Sequence, residues 1–201
     1  MKTTIYAACI DRTILKNIAR TSKLLLSVTN TKDLEKSSRW FREMCDAKKR
    51  SILMQVGIQE YIKAQGEGIQ PDSVLLANYI KALLRKIEFG LIPDPVKDLL
   101  IWLVADKDVI DSDCVSAVVS LLSISADRFQ VLRDVSLVAM KIFQCSTTGG
   151  SISPTALASV IQVTSDELPI GLDQDQIKAQ FKEWHATFGL ILANPEVFRL
   201  S

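Results

Sequence analysis

The sequence predicts an all-α protein, and three features of its 201 residues support this fold class. Apolar residues recur at the three- and four-residue spacing of a helix, whereas no sustained alternation of apolar and polar residues indicates a strand. Glycine and proline are scarce, at eight and six residues, and they lie where helices should end. No Asn-Gly hairpin turn, internal repeat or low-complexity linker divides the chain, so we expect one helical domain over residues 1–201.

The N-terminal third is expected to contain two helical regions. Residues 4–28 carry an apolar stripe at helical spacing and should form one or two helices. Asn30 or Thr31 is suited to cap a long helical region that continues to about Gly66, and the charged stretch 46–50 is where this region would break. The stripe of the first region consists of Ile14, Ile18 and Leu25.

Prolines and glycines set the helix boundaries in the rest of the chain. Pro71 and Asp72 begin a helix that should run to about Glu88, because proline fits the first turn and Gly90 and Pro93 follow the last. Further helices are expected at about 94–105, 112–124, 127–146, 154–165 and 174–193, with the end of the last helix or a short terminal turn at Pro195.

Charge and hydropathy argue against several classes of partner. With 24 basic and 23 acidic residues the net charge is +1, which gives no global attraction to nucleic acid, so no nucleic-acid partner is expected. No apolar stretch approaches the roughly 18 residues of a membrane span, and the N-terminus is a poor signal peptide. The four cysteines are widely separated, and the apolar flanks of Cys9 and Cys114 predict buried free thiols. We therefore expect a cytoplasmic protein.

No motif for a metal, a cofactor or autonomous catalysis is present. The single histidine, His185, lies far from any cysteine, so we expect no metal site. The sequence lacks the glycine-rich phosphate loop, the dinucleotide fingerprint and the nucleophile elbow, and its carboxylates show no paired spacing. We therefore expect no cofactor and no autonomous enzyme activity, and we interpret His185 as a surface or hydrogen-bonded structural residue.

The helix at 71–88 carries the most functional information. One side of it is an apolar stripe, and another side presents Asn78, Lys81, Arg85 and Glu88 at helical spacing. Because Lys81 and Arg85 are four residues apart, both cations should project from one patch of surface. Spacing alone favours the interpretation of these residues as a solvated helix face. The stripe expected in the core consists of Leu76, Ile80, Leu83 and Ile87.

This helix resembles one in Rho GTPase-activating (RhoGAP) domains, whose pattern is L-L-K-x-x-L-R-x-L-P-x-P-L-I-P. Lys81 and Arg85 match the lysine and arginine of that pattern, and residues 91–93 match its end, whereas Glu88 and Gly90 replace its proline pair.

Three later segments are similar to RhoGAP segments in the same order. Residues 121–142 resemble the helix L-L…L-x-x-L-L-x-x-L-x-x-V, residues 152–160 resemble M-T-P-x-N-L-A-x-V, and residues 176–198 resemble the last helix of the family. The resemblance covers about residues 70–198 and implies a RhoGAP-like multi-helix bundle.

The resemblance also implies a partner and a docking face. The partner would be a small GTPase of the Rho type or another signalling protein, with Lys81 and Arg85 in contact with it. In the family, an arginine finger in a G-I-F-R-x-S-G loop stabilises the transition state of phosphoryl transfer, which is worth about 10³–10⁵ in rate. That loop is missing here, and Phe41-Arg42 is a faint echo of it. Arg42 is thus the one candidate for the finger, although an ordinary helix-surface arginine is the favoured interpretation of this residue.

Three functional interpretations stay open. The favoured one is a RhoGAP-like module that binds a GTPase with weak or lost activation, since Ala156 also replaces an asparagine that contacts the GTPase in the family. The second is an active GTPase activator with a displaced finger. The third is a helical interaction scaffold without GTPase binding. Its first candidate surfaces would be Trp40, Phe41 and Trp184, although we expect all three in the core.

Overall fold

The computed structural model describes residues 10–66, 71–105, 107–145, 152–161, 163–164 and 171–198. Within these ranges the chain forms α-helices and short 3₁₀ turns without a strand, so the prediction of an all-α, multi-helix fold is confirmed. An isolated bridge between Gly90 and Thr164 is the sole extended pairing in the described ranges. The helices are α1 Arg12–Ser27, α2 Thr31–Glu35, α3 Ala47–Gln65, α4 Ser73–Leu84, α5 Asp94–Val104, α6 Ser112–Leu122, α7 Ala126–Cys145, α8 Pro154–Val160 and α9 Gln174–Ala193, with 3₁₀ turns at Ser37–Arg39 and Pro195–Phe198.

Side-chain caps explain where most of these helices begin. A short polar side chain just before the helix accepts hydrogen bonds from backbone N–H groups that have no partner inside it. Asp46, for example, accepts from Lys48 N at 2.8 Å and Lys49 N at 3.1 Å. These bonds lower the pKa of Asp46, because they favour its charged form. The capping residues are Asp11, Asn30, Asp46, Asp72, Asp111, Ser153 and Asp173.

The prediction of a long helical region after Asn30 is wrong for residues 36–46, which form no α-helix. α2 ends at Glu35, a 3₁₀ turn and an irregular turn follow, and α3 starts after its cap at Asp46, within the stretch where a break was expected. Trp40 and Phe41 are adjacent and each is 1% exposed. Neighbouring side chains on a helix point about 100° apart, so a helix at the surface would turn one of two adjacent side chains towards solvent. The irregular turn instead buries both Trp40 and Phe41.

Helix α3 contains a kink at Gly57 that the sequence pattern did not reveal. Gly57 has φ 79° and ψ 163°, a conformation that favours glycine. The kink leaves the N–H of Ile58 outside the regular helical ladder, and Asn17 Oδ1 on α1 accepts a hydrogen bond from it at 3.2 Å. A side chain from a distant part of the sequence thus replaces the helical partner.

Helix α4 ends at Leu84, earlier than the expected Glu88, while its predicted apolar stripe is buried as expected. Phe89 at φ 60° and Gly90 at φ 71° take left-handed conformations in the turn that follows the helix. Arg128 of α7 is 3% exposed and donates to the carbonyl oxygens of Glu88, at 3.1 Å, and of Gly90. This buried guanidinium holds the turn that follows α4.

The remaining boundaries largely agree with the sequence. α9 spans the expected 174–193 and is followed by the terminal turn at Pro195. α8 begins as expected after Ser153 but ends at Val160, because residues 161, 163 and 164 are not helical. Three expected features reach outside the described residues: the start of the region at 4–28, Cys9, and the end of the helix at 154–165.

The core confirms the expected burial of the aromatic side chains and of one cysteine. Trp184 is 4% exposed and stacks on Phe188 with ring centroids 5.4 Å apart. Cys114 is buried and free, as predicted. Gly189 brings α9 against α8, since a Cβ at this position would lie 2.8 Å from the backbone nitrogen of Thr155. These two helices form one wall of the region described next.

Candidate functional site

The polar side of α4 holds the irregular turn at residues 40–46. Lys81 Nζ donates to the carbonyl oxygen of Phe41 at 3.0 Å. Asn78 Nδ2 donates to the carbonyl oxygens of Glu43 at 2.9 Å and of Val74 at 2.8 Å. The two side chains therefore bind the carbonyl groups on either side of Arg42.

Arg42 lies at the exposed surface of this turn. It is not in a helix, so the expectation of an ordinary helix-surface arginine is wrong in its local structure. Its backbone N–H donates to Arg39 O at 2.9 Å, and its guanidinium makes no hydrogen bond or ion pair with the described residues. The neighbouring Glu43 pairs instead with Arg39, at 3.3 Å. The Arg42 side chain is thus available to a partner on a turn whose backbone is fixed.

Lys81 and Arg85 share one patch, as their spacing predicts. Both line the same surface cavity of about 330 Å³. Arg85 is the C-cap of α4, and its backbone N–H donates to Lys81 O at 3.2 Å. Its side chain is exposed, whereas that of Lys81 is half-buried. The pKa of Lys81 is lowered, first by burial and then by the positive charges of Arg85 and Arg50. Arg50, from α3, is a third cation of this region that the sequence pattern did not single out.

The opposite wall of the cavity comes from the end of α8 and from α9. Ser159 and Thr164 contribute hydroxyl groups, and Phe181, Trp184 and His185 contribute rings. None of the described lining residues carries a carboxylate. The cavity therefore combines two cations with aromatic and hydroxyl-bearing side chains.

His185 is half-buried in this wall. Its ring stacks on that of Phe181, with centroids 6.0 Å apart and an interplanar angle of 25°. Burial lowers the pKa of His185, since desolvation disfavours the charged imidazolium. The ring is therefore neutral at pH 7, with nitrogen atoms that can donate or accept one hydrogen bond each.

Ala156 takes part only through its backbone. Its N–H donates to Ser153 Oγ at 3.1 Å, which caps α8, and its carbonyl oxygen accepts from Ser159 Oγ at 2.8 Å. It is not among the residues that line the cavity. The position at which the resemblance expects an asparagine thus supplies no polar side chain here.

The described residues show no other centre of obvious chemistry. They contain no group of three His, Cys, Asp or Glu side chains that could hold a metal ion. Over the same ranges, no helix has the length and apolarity needed to cross a membrane. The sequence matches no protein-family model and no curated protein. The side chains on and around α4 are therefore the basis for a functional proposal.

Proposed function

We propose that this chain is a RhoGAP-like module that binds a small GTPase of the Rho type, with weak or lost GTPase activation. The observation that carries the proposal is the joint placement of Lys81 and Arg85 at one cavity, in the order and spacing of the RhoGAP helix. The same proposal includes a cytoplasmic location for the protein, because such a partner would be met there.

The charge of the region supports docking to an acidic surface. Burial lowers the pKa of Lys81 first, and the positive charges of the nearby Arg85 and Arg50 lower it further. An acidic partner would relieve this repulsion, and complementary charges also speed association and select the orientation of binding. Wherever water is excluded from such pairs, their loss would also increase dissociation.

Two features argue for weak activation. The turn that carries Arg42 has no glycine on either side of the arginine, whereas the finger loop of the family is bounded by glycines. Ala156 cannot supply the amide group expected from the resemblance. A module with this composition keeps the docking cations while it lacks the glycine-bounded finger loop and the asparagine that contacts the GTPase in the family.

A second candidate function, activation by a displaced finger, is favoured by the geometry of the turn. Lys81 and Asn78 fix the carbonyl groups before and after Arg42, and the guanidinium has no partner among the described residues. A charge held on a fixed backbone needs little reorganisation when it stabilises a transition state. This arrangement would replace the glycine-bounded loop.

The docking proposal is tested by capture of Rho and Rac GTPases loaded with GDP or with a non-hydrolysable GTP analogue. We expect nucleotide-dependent capture that is weakened at least about tenfold by Lys81→Glu/Arg85→Glu, because opposite charges become like charges. Arg12→Glu/Lys16→Glu is the matched control, since it reverses two exposed cations four residues apart on α1. Equal binding by both double variants would refute the docking face. If the wild-type protein captures neither nucleotide form, the remaining interpretation is a helical interaction scaffold that does not bind GTPases.

The rate of GTP hydrolysis separates the two candidate functions. Weak or lost activation predicts little change in rate when the protein is added. A working finger predicts a stimulation that Arg42→Ala abolishes, by up to about 10³–10⁵-fold for a full finger. Arg39→Ala is the control, because Arg39 is exposed on the adjacent 3₁₀ turn and pairs with Glu43.

A further inference from the structure

Helix α5 presents large apolar side chains to solvent. Trp102 is 77% exposed, and Leu99, three residues before it, is 49% exposed. Residues three apart on a helix are neighbours on its surface, so the two side chains form one apolar stripe. Val109, in the loop that follows α5, is 75% exposed. Single exposed apolar residues are ordinary, whereas a group that includes a tryptophan is typical of an interaction site.

The surroundings of this stripe are acidic. Residues 94–113 contain six aspartates and two lysines. Both lysines already pair with aspartates of the same segment, with N···O distances of 2.7 and 2.8 Å. Asp98, one turn before Trp102, and Asp108, next to Val109, are exposed and form no ion pair with the described residues. The stripe therefore lies beside negative charge that the segment itself does not neutralise.

A groove between α5 and α9 extends the acidic surface. Its volume is about 170 Å³, and it is lined by Lys97, Asp98 and Ile101 of α5 and by Gln180 and Glu183 of α9. The carboxylates of Asp98 and Glu183 thus come from opposite walls, and Glu183 is exposed and forms no ion pair with the described residues. Successive residues of a helix point about 100° apart, so Asp98 lies between the groove and the apolar stripe. A cation in the groove would meet carboxylates on both sides.

The shape and charge of this surface select the kind of partner. An anionic membrane is disfavoured, because exposed carboxylates repel its head groups. An extended peptide would need a free strand edge, and the described residues form no strand. An amphipathic helix fits both features, since its apolar stripe can pack on an exposed ring while basic residues beside that stripe meet the carboxylates.

We propose that α5 and the adjoining part of α9 form a docking surface for a basic amphipathic helix of a partner protein. The apolar residues of that helix pack on Leu99 and Trp102, and its lysine or arginine side chains reach Asp98 and Glu183. The proposal goes beyond GTPase docking and does not rest on it, because this surface shares no residue with the cations of the proposed GTPase-docking face.

The first test is titration of two fluorescently labelled helical peptides with the whole protein, one of leucine and lysine and one with glutamate in place of lysine. We expect saturable binding of the lysine peptide, with a Kd below about 100 μM, and none of the glutamate peptide. Leu99→Ser/Trp102→Ser should weaken binding at least about tenfold, and both side chains are exposed, so this variant should keep the fold. Ile52→Ser/Val56→Ser is the matched control and should bind as the wild type does, since it removes two exposed apolar side chains from α3.

Charge reversal tests the acidic part of the surface. Asp98→Lys/Glu183→Lys should weaken binding of the lysine peptide at least about fivefold, and about 0.5 M salt should weaken binding by the wild type. Equal binding by the wild type and Leu99→Ser/Trp102→Ser, equal binding of the two peptides, or no saturable binding would overturn the proposal.

Two further measurements address other occupants of the surface. Flotation with phosphatidylglycerol vesicles should not capture the protein, and capture that is lost in Leu99→Ser/Trp102→Ser would overturn the proposal in favour of a membrane. Analytical ultracentrifugation should show no self-association through this surface. A wild-type dimer that the same variant dissociates would overturn the proposal in favour of a second copy of the chain.

Discussion

Two turns beside α4 are held in similar ways but differ in their access to solvent. Lys81 donates to the carbonyl oxygen of Phe41 in the turn at residues 40–46, and Arg128 donates to those of Glu88 and Gly90 in the turn that follows α4. Arg128 is 3% exposed, whereas Lys81 is half-buried and lines a cavity. A buried cation that donates to backbone carbonyl groups is shielded from a partner, while a half-buried one fixes a turn and still presents charge at the surface. The comparison separates a structural anchor from a candidate docking residue.

The largest expected effect is that of Arg128→Met on stability. Methionine fills much of the volume but leaves the carbonyl oxygens of Glu88 and of the buried Gly90 without this donor, which should cost about 3 kcal/mol in the free energy of unfolding. Chemical denaturation measures this difference. Arg39→Met is the control, and since Arg39 belongs to an exposed ion pair it should change stability by less than about 0.5 kcal/mol. Equal effects of the two variants would show that Arg128 stabilises the fold no more than an exposed, ion-paired arginine does.

An intermediate effect is expected for Asn78→Ala. Asn78 is 9% exposed, and its loss leaves the carbonyl oxygen of Glu43 without the side-chain donor that holds the turn. We expect a loss of about 1–2 kcal/mol and faster hydrogen exchange at the amides of Arg42 and Glu43, both of which donate to Arg39 O. The amides of α9 are the internal control. If stability falls while the turn amides exchange as in the wild type, Asn78 supports α4 alone.

The smallest expected effect is the pH dependence of stability that is due to His185, which lines the same cavity as Lys81. Burial lowers the pKa of His185 in the folded state, so the unfolded chain binds more protons between that pKa and the unfolded value of about 6.5. Stability should therefore fall as the pH is lowered through this window and level off below the folded pKa. Melting temperatures of wild type and His185→Gln between about pH 5 and pH 7.5 measure this contribution. An equal loss on acidification in both proteins would contradict it.

The sequence predicted the elements that local chemistry determines. Asp72 before α4, Ser153 before α8 and Asp173 before α9 act as caps regardless of what packs nearby, so these starts could be read from the chain. The shared patch of Lys81 and Arg85 follows from helical spacing in the same way. These features depend on residues within a few positions of one another.

The features that sequence reasoning missed depend on contacts between distant residues. The turn at 40–46 is set by the burial of Trp40 and Phe41 and by donors from α4, and no glycine or proline there indicates it. The kink at Gly57 is completed by Asn17, which is 41 positions away. Arg50 joins the cationic region only because α3 packs beside α4. Periodicity carries no information on such contacts.

The close approach of α9 to α8 at Gly189 has a consequence for how the shape of the cavity can change. Ser159 on α8 and His185 on α9 lie on the same wall of the cavity, so the spacing of these two helices determines the shape of that wall. A single methyl group at Gly189 would lie 2.8 Å from the backbone of Thr155 and would force the helices apart. A substitution at Gly189 would therefore reshape the cavity from a position that does not line it, without changing any of the side chains that do.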